Sequence, residues 1–193
     1  YLMAYNYANN SQTSPGFTRA ELIDAVEAFV VAHDPSKWTM VQESTGGSGD
    51  TASATVFKIT NGTVAEDVYV SLWQGSNVDG KATIGLNTST GFTPLANWYD
   101  QPGARFGSGN NPITRTQVYT RCTHTTDDII EYHLFGYPTY FYCVFKTSSG
   151  IWRNFGFGHL DKLSSFVGGG FACASYSAYD NAYEDDATSG GAV

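Results

Sequence analysis

The decapeptide "HTTDDIIEYH", His124 to His133, gathers two imidazoles and three carboxylates. Alternate residues of a strand share a face, so Glu131 and His133 would project together. With His124, Asp127 or Asp128 from the adjoining turn, they could offer a divalent metal nitrogen and oxygen ligands. A metal-assisted or cell-wall hydrolase could be built on His124, Asp128, Glu131 and His133. Neither HExxH nor an EF-hand spacing is present, however. The simpler reading is an Asp-Asp turn entering a strand with polar residues toward solvent, and we expect neither metal nor cofactor.

A second crowded stretch is "GIWRNFGFGHLDKLSSFVGGGFACAS", 150–175. Gly156 and Gly158 leave one strand face bare, so that a ring or backbone can come close. His159 and Asp161 follow at a strand-to-loop transition, where local hydrogen bonding is their expected work. GxSxG is absent, which removes the usual serine elbow. Cys143 lies in an alternating apolar strand, where burial makes a thiol inert, and Cys173 follows Gly168-Gly169-Gly170 in a more accessible setting. With Cys122 they are too far apart for a CxxC motif, and an odd number cannot all pair within the chain. They are buried thiols, or one bridges to a neighbour. Asp100, Glu131 and Asp161 are conceivable glycosidase carboxylates, but no spacing singles them out. The glycine clusters at 46–49 and 168–170 fit neither GxGxxG nor a phosphate loop. We therefore expect no enzyme.

These residues must be positioned by a fold, and the composition bounds it. The 193 residues suffice for one domain with a sizeable core. Hydrophobic residues make up 41% and aromatics 15%, which argues for folding, while charged residues at 15% make a lightly charged surface. A net charge of -8 gives phosphate little to bind, so nucleic acid is not an expected partner. Apolar runs fall well short of the roughly 18 to 20 residues a membrane helix needs, and no leader pattern opens the chain. The expectation is a soluble protein without a membrane partner.

The clearest local signal is "FTRAELIDAVEAFVVAHDP". Thr18 and Glu21 form a capping box, with Phe17 and Leu22 at the hydrophobic-staple positions. Leu22, Ile23, Val26, Phe29 and Val30 share one face; Arg19, Asp24 and Glu27 fall on the other. His33, Asp34 and Pro35 end the helix, about 18–33. The period then changes to two, with strands expected at 37–43, 51–60, 67–75 and 81–87 and an Asn61-Gly62 turn between the second and third. Strands resume at "QVYTRCTH", "IIEYHLFG", "TYFYCVFKT" and "GIWRNFGFG". Ser148-Ser149-Gly150 joins the last two as a tight hairpin. In 140–147 both alternating sets are apolar, Tyr140, Tyr142 and Val144 against Phe141, Cys143 and Phe145, which marks a central strand. Between the two groups lies a long loop, 88–116, carrying Trp98, Tyr99 and Phe106; such a loop usually serves an interaction.

The segments "PTYFYCVFKTSSGIWRNFGFGHLDKLSSFVGGGF" and "NWYDQPGARFG", preceded by the capped helix and "WTMVQES", resemble a group of tailed-bacteriophage virion proteins. In that group a short helix precedes a β-rich domain with an aromatic, QPG-containing loop. The resemblance implies a non-enzymatic structural component of the virion, of the tail or baseplate more than the head, assembled in the host cytoplasm. It defines no catalytic residues.

The expected fold is α+β, a mainly antiparallel, β-sandwich-like core with one amphipathic helix. An extended arm would occupy 1–16, the domain 17–175, and an acidic flexible or docking tail 176–193. Partners would be copies of the chain and other virion proteins. Tyr1, Tyr5 and Tyr7 in the arm, with Trp98, Tyr99 and Phe106 in the loop, are the candidate interface anchors, because rings supply most anchoring area at interfaces. The alternative use of the same aromatics is a carbohydrate- or receptor-binding surface.

Overall fold

A computed structural model describes residues 6–12, 15–43, 54–60, 67–76, 82–96, 101–103, 118–121, 128–159 and 170–174. These described residues form two five-stranded antiparallel sheets and one helix, an α+β sandwich as expected. It opens with β1 (Asn6–Ser11), followed by α1 (Arg19–His33). Next come β2 (Trp38–Gln42), β3 (Ala54–Thr60), β4 (Asp67–Ser76), β5 (Ala82–Ser89) and β6 (Val118–Arg121). The last four strands are β7 (Ile129–Gly136), β8 (Tyr140–Thr147), β9 (Trp152–His159) and β10 (Gly170–Ala174). Strands β2 to β6 follow one another as a meander in one sheet; β7 to β10 do the same in the other, with β1 added at the free side of β7.

The helix begins as its sequence requires. Thr18 caps it, its hydroxyl oxygen accepting from the Glu21 amide at 3.2 Å, while the Glu21 carboxylate accepts from the Thr18 amide at 2.7 Å. Leu22, Ile23, Val26 and Val30 are fully buried in the common core. Glu27 departs from expectation. It belongs to the buried side rather than the solvent side, and its carboxylate accepts a hydrogen bond from the Thr55 hydroxyl on β3. The apolar stripe is therefore wider than hydrophobicity alone marks, with one polar residue inside it held by a partner.

Helix α1 packs against β7 of one sheet and β2 and β4 of the other, while β9 and β10 meet β4, β5 and β6 directly. It thus fills the space between the sheets on one side, and the sheets close on each other on the opposite side. Gly170 marks that close approach, because a Cβ there would lie 2.7 Å from a Val68 methyl. The centre is aromatic: Phe57 and Phe157 stack at 5.6 Å, Phe141 and Phe157 stand 5.0 Å apart, and Trp38 meets Phe157 edge-on. Each such buried side chain contributes about 1.5–3 kcal/mol.

Further side chains tie the layers. His33 at the end of α1 reaches the Tyr137 carbonyl at 2.6 Å, and Trp38 Nε1 donates to the Pro138 carbonyl at 3.0 Å. Both land on the β7–β8 connection.

Within the described residues the expected strands are recovered, and the β8–β9 hairpin closes as read, with Gly150 at φ +83° and its amide donating to the Thr147 carbonyl. β5 runs through Thr88 and Ser89, so the long loop starts later than expected. Its described part is clasped by Gln101, a buried side chain that accepts from the Thr93 amide at 2.7 Å and donates to the Thr93 and Ala96 carbonyls. Phe92 stacks on Tyr69 of β4. Both faces of the β3–β4–β5 sheet are buried: Phe57, Val70 and Leu86 on the inner side, Val56, Ser71 and Asn87 on the outer.

Candidate functional site

The other sheet is asymmetric. β8 alternates half-buried and buried along its length. Phe141, Cys143, Phe145 and Thr147 face the core, and Tyr140, Tyr142, Val144 and Lys146 face outward. Antiparallel register carries this division across the strands. One outward row reads Ser11, Glu131, Lys146, Trp152; the next Asn9, His133, Val144, Asn154; the third Tyr7, Phe135, Tyr142, Gly156, Cys173.

In this face His133 stands between two partners. The Tyr7 hydroxyl lies 2.7 Å from Nδ1, and a Glu131 carboxylate oxygen lies 2.9 Å from Nε2. A neutral ring protonated at Nε2 satisfies both: it donates to Glu131 and accepts from Tyr7. Aromatic rings surround it. Tyr7 is near-parallel to the imidazole at 6.0 Å and contacts Phe135 at 5.3 Å; Trp152 sits 5.9 Å from His133 on the other side. Lys146 Nζ lies 5.5 Å above the Trp152 ring, a cation–π distance. Tyr7 and Trp152 remain 46% and 47% exposed.

The platform widens toward β10. Tyr137 and Tyr140 stack at 4.2 Å, and burial, followed by the neighbouring Tyr137, pushes the Tyr140 phenol up. The Tyr142 ring lies over Gly156, where any Cβ would collide with it. This is the close ring approach that "FGFG" predicts. Burial also raises the Tyr142 phenol, with Cys173 and Cys143 beside it adding to the shift.

The sequence-derived candidates divide as follows. Tyr7, Glu131 and His133 come together in one hydrogen-bonded chain, joining an interface candidate to two metal candidates. Asp128 is exposed just before β7, its carbonyl accepting from the Ser148 amide at 2.7 Å. Among the described residues no group of three or more His, Cys, Asp or Glu converges on one point. His133 instead spends both nitrogens on Tyr7 and Glu131. His159 is buried on the core side of β9, and Cys143 is fully buried. Tyr1, Tyr5, Trp98, Tyr99, Asp100, Phe106, Cys122, His124, Asp127, Asp161, the Asn61-Gly62 turn and the tail lie outside the described residues. Helix α1, the one helix among the described residues, is not long and apolar enough to cross a membrane.

Sequence reasoning placed Lys146 on one face with Tyr140, Tyr142 and Val144, as found, but missed Trp152 as part of that surface, and β1 and β10 as strands. For Trp152 the signal was the hairpin register, which sets it beside Lys146 on the outward face. For β1, "NYANNS" carries little strand propensity, and only its neighbour β7 makes it extended. Compared with known proteins, the chain matches no family model and no curated protein.

Proposed function

We propose that this domain is an assembly building block, a structural component of a bacteriophage tail or baseplate that acts by contact with its own copies and other virion proteins. The observation that carries the assembly reading is the outer face of the β1–β7–β8–β9 strands. It presents two rings nearly half exposed, Tyr7 and Trp152, on a rigid sheet around the His133–Glu131 pair. Clustered aromatics framed by polar groups are typical anchors of protein interfaces. The virion assignment rests on the resemblance of the hairpin, the QPG loop and the capped helix.

Sedimentation of the purified chain over a wide concentration range tests it. Self-association that weakens at least tenfold in Trp152→Ala supports the reading. A chain that stays monomeric at every concentration, and does not appear in intact particles by mass spectrometry, overturns it.

One observation favours a second reading. The exposed Trp152 ring shares its sheet face with Asn154, Glu131 and Lys146, a pairing of apolar face and hydrogen-bonding groups that suits a pyranose. Glycan binding abolished by Trp152→Ala, in a chain that remains monomeric, would establish this reading in place of assembly.

A further inference from the structure

We propose that β1 is an exchangeable strand, which leaves the β7 edge of its own chain and occupies the same edge of a second copy. The inference rests on the assembly reading and names the contact through which copies join.

β1 is held weakly by burial. Five of its six residues are exposed and the sixth, Ala8, packs against the core only in part. What holds it is polar and directional: the ladder from Asn6↔Gly136 to Ser11↔Glu131, the Tyr7–His133 bond, and the Asn6 amide donating to the His33 carbonyl at 3.2 Å. Withdrawing such a strand uncovers little apolar area, yet it exposes the unpaired edge of β7, which then demands a strand.

The connection to the helix supplies the length of chain. The Gln12 amide donates to the Ile130 carbonyl at 2.8 Å, and the Phe17 amide to the Ile129 carbonyl at 2.7 Å. These acceptors are adjacent on β7, but four residues of sequence, 13–16, intervene between the donors. Extended at about 3.3 Å each, they add on the order of 13 Å of reach. Phe17 pairs with Ile129 in both directions and can stay anchored while β1 moves.

The occupant is a second copy because β1 itself is the sequence shown to match this edge. Its register is fixed by the Asn6 and Tyr7 side chains at one end and by the Gln12 backbone bond at the other, so the contacts made in trans repeat those made in cis. Exchange then costs only the association entropy and is driven by concentration.

The test mixes Ser11→Cys chains with Glu131→Cys chains under mild oxidation. The two positions are direct cross-strand partners, within disulfide reach. In a closed monomer each new thiol faces a residue that cannot pair with it. Exchange predicts a covalent heterodimer linked 11 to 131, at least fivefold above either variant alone and growing with concentration. Asn9→Cys with His133→Cys, the neighbouring ladder pair, repeats the measurement should Glu131→Cys fail to fold. If the double variant locks internally, no heterodimer forms and the unmodified chain still sediments as an oligomer, exchange is overturned and the assembly reading stands. A monomer at every concentration overturns both.

Discussion

The phenol of Tyr7 meets the imidazole of His133 at 2.7 Å across 126 residues of sequence. This bond fastens a polar edge strand to a sheet that the rest of the chain has already built. Tyr7→Phe keeps the ring contact with Phe135 and removes only the hydroxyl. We expect a global cost of about 0.5–1 kcal/mol, as for an exposed hydrogen bond. The local effect differs in kind: β1 amides should exchange with solvent about fivefold faster, while β8 amides that exchange by local fluctuation, with β1 still docked, do not change. Hydrogen exchange read by NMR checks this, and equal acceleration in β1 and β8 would show that the hydroxyl does not act as a local latch.

Glu27 and Thr55 form a second polar pair, this one inside the sandwich. Thr55→Val conserves shape but takes away a donor from a buried carboxylate, which should cost about 1–3 kcal/mol. Replacing both, as Glu27→Leu with Thr55→Val, should recover part of the loss, because no carboxylate is then left under-satisfied. Urea unfolding of the two singles and the double gives the coupling directly.

How far the sequence discloses this arrangement depends on whether a residue's role is local. The capping box at Thr18 and Glu21 and the Ser148–Gly150 turn are legible because their partners lie within a few residues. Strands 129–136 and 140–147 are legible because burial imposes a period of two. Glu27 was misplaced because its partner, Thr55, sits on another element and no helical periodicity announces it. The pairing of β1 is hidden for the same reason: the sequence marks an extended arm, and only β7 makes part of it a strand of the sheet. Of the candidate site, the residues Tyr7, Glu131 and His133 could be named from type and spacing. Their convergence could not, because it depends on sheet order.

Gly136 lies under the last turn of α1. A Cβ there would fall 2.8 Å from the His33 ring and 2.9 Å from Phe29. Gly136→Ala must therefore displace the His33 side chain from the Tyr137 carbonyl, and we expect a loss of about 1–3 kcal/mol from overpacking in a close-packed core. Gly150→Ala offers the contrast. It has open space around it, and its cost arises from φ +83° alone. Thermal unfolding should place Gly136→Ala below Gly150→Ala.

Acid should loosen the start of the helix. The Thr18 backbone amide, then its hydroxyl, hold the Glu21 carboxyl below its ordinary value of 4.5. A lowered value means that the capping contribution is complete above the ordinary carboxylate range and disappears as pH falls through the lowered one. Glu21→Gln should flatten that part of the stability-versus-pH curve by lowering stability in the neutral region, where the carboxylate's contribution is lost, and should leave the most acidic region nearly unchanged. Equal acid slopes in the two proteins would contradict the assignment.

Cysteine reactivity separates the two faces of the β7–β10 sheet. Cys143 is fully buried on the core side, and Cys173 is half-buried on the outer face, where burial raises its thiol while a backbone bond from Gly156 partly opposes the rise. A raised thiol keeps its proton in the folded state. Its stabilising contribution is therefore full below the ordinary thiol range and is lost as pH climbs through the raised value. At pH 8 the thiolate fraction of Cys173 is below that of a free cysteine, so alkylation should run several-fold slower than for a model thiol. Cys143 should label only as fast as the sandwich unfolds. Peptide mapping after timed alkylation resolves the order, and labelling of Cys143 before Cys173 would mean that the core side of β8 opens to solvent ahead of the outer face.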